Sequence, residues 1–173
     1  LGLIPSNEED ASTSRIRQIR EIISGEVDLD ALLTVADSSP LQYEPISAVA
    51  TATADRVRIA IAQDTAFGFY YPEDLIALEQ AGAELVRINT LADTSLPDVD
   101  GLFIGGGFPE TQMQALSANV AMREQVRAAI ANGLPAYAEC GGLMYLCRSL
   151  RWQGQHYEMT GVIPADCVMH ERP

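Results

Sequence analysis

The 173-residue sequence contains no lysine; all 11 of its cationic side chains are arginines. That absence removes every mechanism built on a lysine Schiff base, and any Walker-type loop in which a lysine reaches the phosphates of ATP. Positive charge is scarce altogether, since 24 Asp and Glu outweigh the arginines to leave a net charge of -13. Binding to a nucleic-acid backbone depends on neutralising phosphates, so no nucleic-acid partner is expected. The three cysteines form no CxxC pair and the histidines number two. They read as reduced thiols of a cytoplasmic protein, with no disulfide framework and no zinc or other metal site. No early signal stretch stands out, and no apolar run approaches the ~20 residues of a membrane span. What is present is 47% hydrophobic and 20% charged. That is enough to bury a core, in one domain or one domain with a remnant of another.

The first residues, Leu1 to Pro5, read as a short strand ending an upstream domain. Ser6 to Asp10 opens a helix in which Ile16, Ile19, Ile22 and Ile23 recur at helical spacing up to Gly25, and Asp28 to Ala36 reads as a second helix. Residues 37–55 are rich in Ser, Pro, Thr and Ala without periodicity, as a linker is. From Arg56 the pattern is regular. Strands are expected over Val57–Ala62, Glu84–Ile88, Val99–Ile104 and Leu134–Ala138. Helices are expected over Pro72–Gln80, Asn119–Ala131 and Gly142–Leu150, and a last strand over Tyr157–Val162. Gly82 and Gly133 close the first two of these helices, and Asn119 is the N-cap of the second. Apolar strands interleaved with helices define an α/β fold, flavodoxin-like in layout, with a mostly parallel sheet covered on both faces.

In such sheets ligands sit beyond the carboxyl ends of the strands. The loop after the fourth strand reads Tyr137-Ala-Glu-Cys140-Gly-Gly142, a strand running at once into a small-residue turn and a helix. This is the pattern of a nucleophile elbow, with Cys140 as the exposed nucleophile and a helix N-terminus that favours its thiolate. Most free cysteines are merely small buried hydrophobes, and Cys147, placed two turns later among Leu143, Leu146 and Leu150, reads as one; so does Cys167. The loop after the third strand is Gly105-Gly-Gly107-Phe-Pro-Glu110. Its glycines let backbone N–H groups approach an anion or a developing oxyanion, although a flexible turn is the plainer alternative. Glu110 is either a ligand for the α-amino group of an amino-acid substrate or an acid that starts a helix. The aromatic loop Gln63 to Glu73 reads as a pocket wall, an interface or core. A cysteine acyl-transfer site also needs a base, and neither His156 nor His170 stands in a loop after a parallel strand. The base is therefore expected downstream of residue 173.

The segments VRIAIAQDTAFGFYYPEDLIALEQAGAELV, VDGLFIGGGFPE and LPAYAECGGLMYL together resemble the glutamine amidotransferase domain of the cobyrinic (or hydrogenobyrinic) acid a,c-diamide synthase family of cobalamin biosynthesis. The likeness covers about Arg56 to Pro164. It implies that Cys140 attacks the side-chain amide of glutamine and that backbone N–H groups at Gly106 or Gly107, together with Gly141, supply the oxyanion hole; Phe108 and Glu110 are expected on the substrate side of the site. It implies further a preceding synthetase domain, whose last part residues 1–36 resemble. In that domain ATP and Mg²⁺ activate a corrinoid carboxylate for amidation, within a ligase expected to be a homodimer. Other readings are the glutaminase of a related ligase such as cobyric acid synthase, or a silent binding domain in which Cys140 only packs. Without the base and the synthetase part, this chain alone is expected to be inactive.

Overall fold

In the computed structural model, which describes residues 9–38 and 56–170, the run VRIAIA forms β1 (Val57–Ala62). It lies inside a four-stranded parallel sheet with β3 (Ala83–Ile88), β4 (Gly101–Ile104) and β6 (Ala136–Ala138), in the order β3-β1-β4-β6. β1 carries little polar alternation because its second half is enclosed, Ala60, Ile61 and Ala62 all being buried. The chain passes to β3 on one side and later to β4 and β6 on the other. The order therefore reverses between β1 and β4, and sheets of this kind place ligands beyond the carboxyl ends of the strands at such a point. β4 and β6 are shorter than expected; Val99 and Asp100 fall before the first, and Leu134 and Pro135 before the second. The α/β, flavodoxin-like layout is the one the sequence implied.

The helices begin and end where local chemistry places them. α3 (Pro72–Gln80) starts with proline, whose missing N–H costs nothing at a first helical position, and is closed by Gly82 at φ 100°. After α4 (Met113–Ala118), α5 (Val120–Ala131) is capped by Asn119, whose Oδ1 accepts from Met122 N at 3.3 Å. The amide of Asn119 also donates to Thr90 O and Asp93 O, tying the helix to the loop after β3. That loop is held from the other side by Asp64. The Asp64 carboxylate accepts from Ala66 N and Phe67 N through one oxygen, and from Thr90 N and Thr90 Oγ1, both at 2.7 Å, through the other.

Two expectations need correction. The helix expected over Gly142–Leu150 is only α6 (Gly141–Leu146), and Cys147 opens strand β7 (Cys147–Trp152). Leu143, Leu146, Cys147 and Leu150 do recur at helical spacing, but tertiary pairing overrides that periodicity. β7 lies between β8 (Gln155–Glu158), antiparallel, and β9 (Ile163–Val168), parallel. Asp166 of β9 accepts from Arg148 Nε at 2.9 Å and Ser149 Oγ at 2.6 Å, and these bonds, the Arg148 one first, hold its carboxyl well below the usual carboxylate range. Cys147 therefore does not share a helix face with Cys140. Its Sγ instead lies 3.4 Å from Cys167 Sγ, and burial pushes the Cys147 thiol up to about 11. The strand expected over Tyr157–Val162 ends at Glu158, and β9 follows. In the aromatic loop, β2 (Phe67–Phe69) pairs with β5 (Gly106–Gly107) as an antiparallel ribbon, and Phe67 joins the core, one of the roles expected of that loop.

The core joins the sheet residues Ile88, Leu102 and Ile104 to Leu116, Met122, Val126 and Tyr145. Tyr145 is fully buried against Phe67, with ring centroids 5.4 Å apart, and its hydroxyl has no hydrogen-bond partner among the described residues. An unpaired buried hydroxyl costs about 1–3 kcal/mol. Tyr145→Phe keeps the ring contact and removes that cost. Its expected result is a rise in melting temperature of about 3 °C, read by calorimetry; a fall would show that the hydroxyl is bonded.

The chain divides into two compact units, residues 1–48 and 49–173. In the first, α1 (Glu9–Glu26) ends one residue past the expected Gly25, α2 (Leu29–Asp37) lies one residue from each expected end, and Asp28 caps α2 through Ala31 N. Their apolar positions Ile16, Ile22, Leu32, Leu33 and Val35 are exposed. The strand expected over Leu1–Pro5 and residues 39–55 of the expected linker lie outside the described residues. Among the described residues no helix is long and apolar enough to cross a membrane.

Candidate active site

Cys140 stands between β6 and α6 with φ 49° and ψ -114°, a left-handed backbone that only one other non-glycine among the described residues, Gln153, shares. A non-glycine residue held there stores about 1–3 kcal/mol of strain, which persists only when its surroundings fix it. They do so on both sides. Glu139 N donates to Ile104 O at 3.2 Å, and Gly142 N donates to Glu139 O at 2.8 Å and Gly105 O at 3.1 Å, while Met144 N reaches Cys140 O. The elbow is thus stitched to the end of β4, and the Cys140 side chain is exposed.

The glycines around it are required by close approach. A methyl group at Gly142 would lie 2.2 Å from Ile104 O, and one at Gly107 would lie 2.0 Å from Ala66 O. Gly141 faces Gly107, whose N and O would both be within 3.0 Å of a Cβ at 141. A Cβ at Gly106 would come 3.6 Å from Cys140 Cβ. The structure therefore brings Gly106, Gly107 and Gly141 together around Cys140, although they come from two separate loops. Gly141 is also the first residue of α6, where helical N–H groups have no partner within the helix.

Phe108 follows this ribbon and meets Phe69 edge-on, with centroids 5.1 Å apart. Pro109–Gln112 is a 3-10 turn, and Glu110 sits in its first turn, half-buried. Burial pushes the Glu110 carboxyl above its usual range, partly offset by its own backbone N–H. A position at the start of a helical turn matches the helix-starting role, and the ligand role remains a proposal.

Neither histidine is carried toward the elbow. His156 on β8 pairs opposite Arg151, four residues along β7 from Cys147, which is about 13 Å of strand. His170 follows Met169, whose N donates to Arg151 O, so both histidines attach at the far end of β7.

The residue that sequence reading missed is Tyr70. Its hydroxyl donates to Ala62 O at 2.6 Å with Phe103 O at 3.3 Å, and accepts from Gly105 N at 3.0 Å. Burial, the largest influence, holds its phenol up to about 12, so it is neutral throughout the physiological range. The aromatic cluster of its loop was visible in the sequence; which of Phe67, Phe69, Tyr70 and Tyr71 turns inward was not. A cavity of about 790 Å³ lies on the sheet face by α3, lined by Val57, Ile59, Phe103 and Tyr137, and does not include Cys140.

Fold and site together define an α/β protein that presents a cysteine on a nucleophile elbow, with a glycine ribbon beside it. A peptidase E protein from Listeria monocytogenes, known from a 1.5 Å crystal structure, shares the fold at TM-score 0.51 and 17% identity, over 62% of this chain and 63% of that one. The profile of the CobB/CobQ-like glutamine amidotransferase domain matches residues 58–173, and the chain belongs to that family. Cobyrinate a,c-diamide synthase of Magnetococcus marinus is 40% identical over all of this chain, and that of Methanosarcina acetivorans 44% over 98%. The chain spans 38% and 39% of the lengths of these two relatives.

Proposed function

We propose that this chain releases ammonia from glutamine through a thioester on Cys140, as part of a longer glutamine-dependent amidoligase acting on the a and c carboxylates of cobyrinic or hydrogenobyrinic acid. The observation that carries this reading is the strained, exposed Cys140 on its elbow, with Gly106 against it and Gly141 at the start of α6. The sulfur attacks the side-chain carbonyl carbon of glutamine and forms a C–S bond. The tetrahedral oxygen takes its negative charge beside the N–H groups of Gly141 and of Gly106 or Gly107. The C–N bond then breaks as nitrogen gains a proton and leaves as ammonia. Water cleaves the thioester, returning the thiol and glutamate, so glutamine and water become glutamate and ammonia. Phe108 and Glu110 are assigned to the glutamine side of the site.

The proton-transferring base is assigned to a residue outside this chain, as are ATP and Mg²⁺. The donor set here does not suit those groups. There is no lysine for a nucleotide-binding loop, and among the described residues no three His, Cys, Asp or Glu cluster closely enough to hold a metal ion. Residues 1–36 are assigned to the end of the synthetase part, and the assembled enzyme to a homodimer in the cytoplasm.

The test is labelling with 6-diazo-5-oxo-norleucine, a glutamine-shaped electrophile, followed by mass-spectrometric mapping. Modification confined to Cys140 is expected, since Cys147 is buried and Cys167 half-buried. Equal labelling of all three cysteines, or none, would refute a glutamine pocket at the elbow.

A further inference from the structure

We propose that Tyr70 is a positioning residue for the Cys140 reaction, its hydroxyl setting the glycine ribbon at the distance an oxyanion requires. This rests on the glutaminase reading above and adds to it a residue that never touches glutamine.

The hydroxyl occupies the point where the sheet order reverses. It joins the last carbonyl of β1, Ala62 O, to the first amide beyond β4, Gly105 N. Gly105 carries the connection onward through its Cα, because its carbonyl, in the next peptide group, accepts from Gly142 N on the elbow. One line of hydrogen bonds therefore runs from β1 through the phenol and Gly105 to the residue two places after Cys140. Gly106 and Gly107 follow directly on Gly105, so the orientation of the ribbon is fixed at its start by the phenol and at its side by β2.

The ring contributes separately. It packs edge-on against Phe103, with centroids 5.0 Å apart, and lies so close to Gly105 that a Cβ there would be 2.7 Å from Cε1. A phenylalanine would keep these ring contacts. It would leave Gly105 N and Ala62 O without the atom that joins them. Oxyanion donors work within a window of a few tenths of an ångström, so a ribbon free to drift loses transition-state stabilisation before it loses substrate binding.

The experiment uses the full-length gene product and follows glutamate release. Tyr70→Phe is expected to lower kcat about tenfold while the KM for glutamine stays within about threefold. Alkylation of Cys140 by iodoacetamide, which needs no oxyanion hole, should keep its wild-type rate. Incorporating 4-aminophenylalanine at position 70 restores a donor and a lone pair, and should recover most of the lost kcat. Thermal melts of each protein fix an assay temperature below the transition. A kcat for Tyr70→Phe within about twofold of wild type overturns the inference, and so does an aminophenylalanine protein no better than the phenylalanine one, since the hydroxyl would then act only through packing. A wild-type protein that releases no glutamate overturns the glutaminase reading and this inference together. An active wild type with an unchanged Tyr70→Phe overturns this inference alone.

Discussion

Cys140→Ser in the full-length gene product is expected to lower glutamine hydrolysis on the order of 10³-fold or more, with little change in melting temperature. The asymmetry follows from what Cys140 does and does not touch. Its side chain is exposed and packs into no core cluster, and serine is nearly its size. The strained backbone is fixed by bonds from Glu139 N, Gly142 N and Met144 N, none of which involves sulfur. The proposed thioester chemistry, by contrast, depends on the sulfur, since an alcohol is a far weaker nucleophile without a strongly activating base. Removing a nucleophile from a working constellation commonly costs several orders of magnitude. Under the proposed amidoligase function, free ammonium salts bypass this step, so ammonia-driven amidation should persist in the same variant. Glutamate release within tenfold of wild type would place the nucleophile elsewhere.

Gly142→Ala is expected to be the most disruptive single methyl group at the site. The new Cβ would stand 2.2 Å from Ile104 O and 2.9 Å from Ile104 Cγ2. Ile104 cannot retreat, because it is buried at the end of β4, and β4 is paired on both sides. The helix must move instead, and with it the bonds from Gly142 N to Glu139 O and Gly105 O. A cost of about 3 kcal/mol, or roughly 10 °C in melting temperature, is expected, with loss of selective Cys140 labelling. Gly101→Ala is the control within the same sheet. Its Cβ would meet Pro135 O at 3.7 Å and Ile59 Cγ1 at 3.9 Å, ordinary contacts. Comparable losses in the two variants, measured by calorimetry and mapping, would show that close packing at the elbow is not the cause.

The parallel sheet, both helix-closing glycines, the Asn119 cap and the elbow itself were legible in the sequence, because each depends on local chemistry: apolar runs, φ freedom and side-chain capping. The family was legible as a resemblance carried by GGGFPE and AECGGLMYL together, and the structure adds that Gly107, Gly141 and Gly142 in them sit at close approaches. What was not legible depends on partners distant in the chain. Residues 147–150 have a helical rhythm, and only Asp166 and the edges of β8 and β9 make them a strand. Tyr70 looked like one aromatic among several until Ala62 O and Gly105 N were seen to converge on its hydroxyl, from 8 and 35 residues away.

The stitching of the elbow to β4 also dictates an order of events. Ile104 O and Gly105 O, which receive Glu139 N and Gly142 N, are in position only once β4 has paired with β1, 42 residues apart at Ile59 and Gly101. Closing that loop and those around it is the slow, non-local part of folding a parallel sheet. Cys140 can therefore reach its left-handed backbone only late, after the sheet is assembled. During refolding, the appearance of site-selective reactivity at this one thiol should lag behind collapse and helix formation, making Cys140 a built-in clock for the last step of the chain's self-assembly.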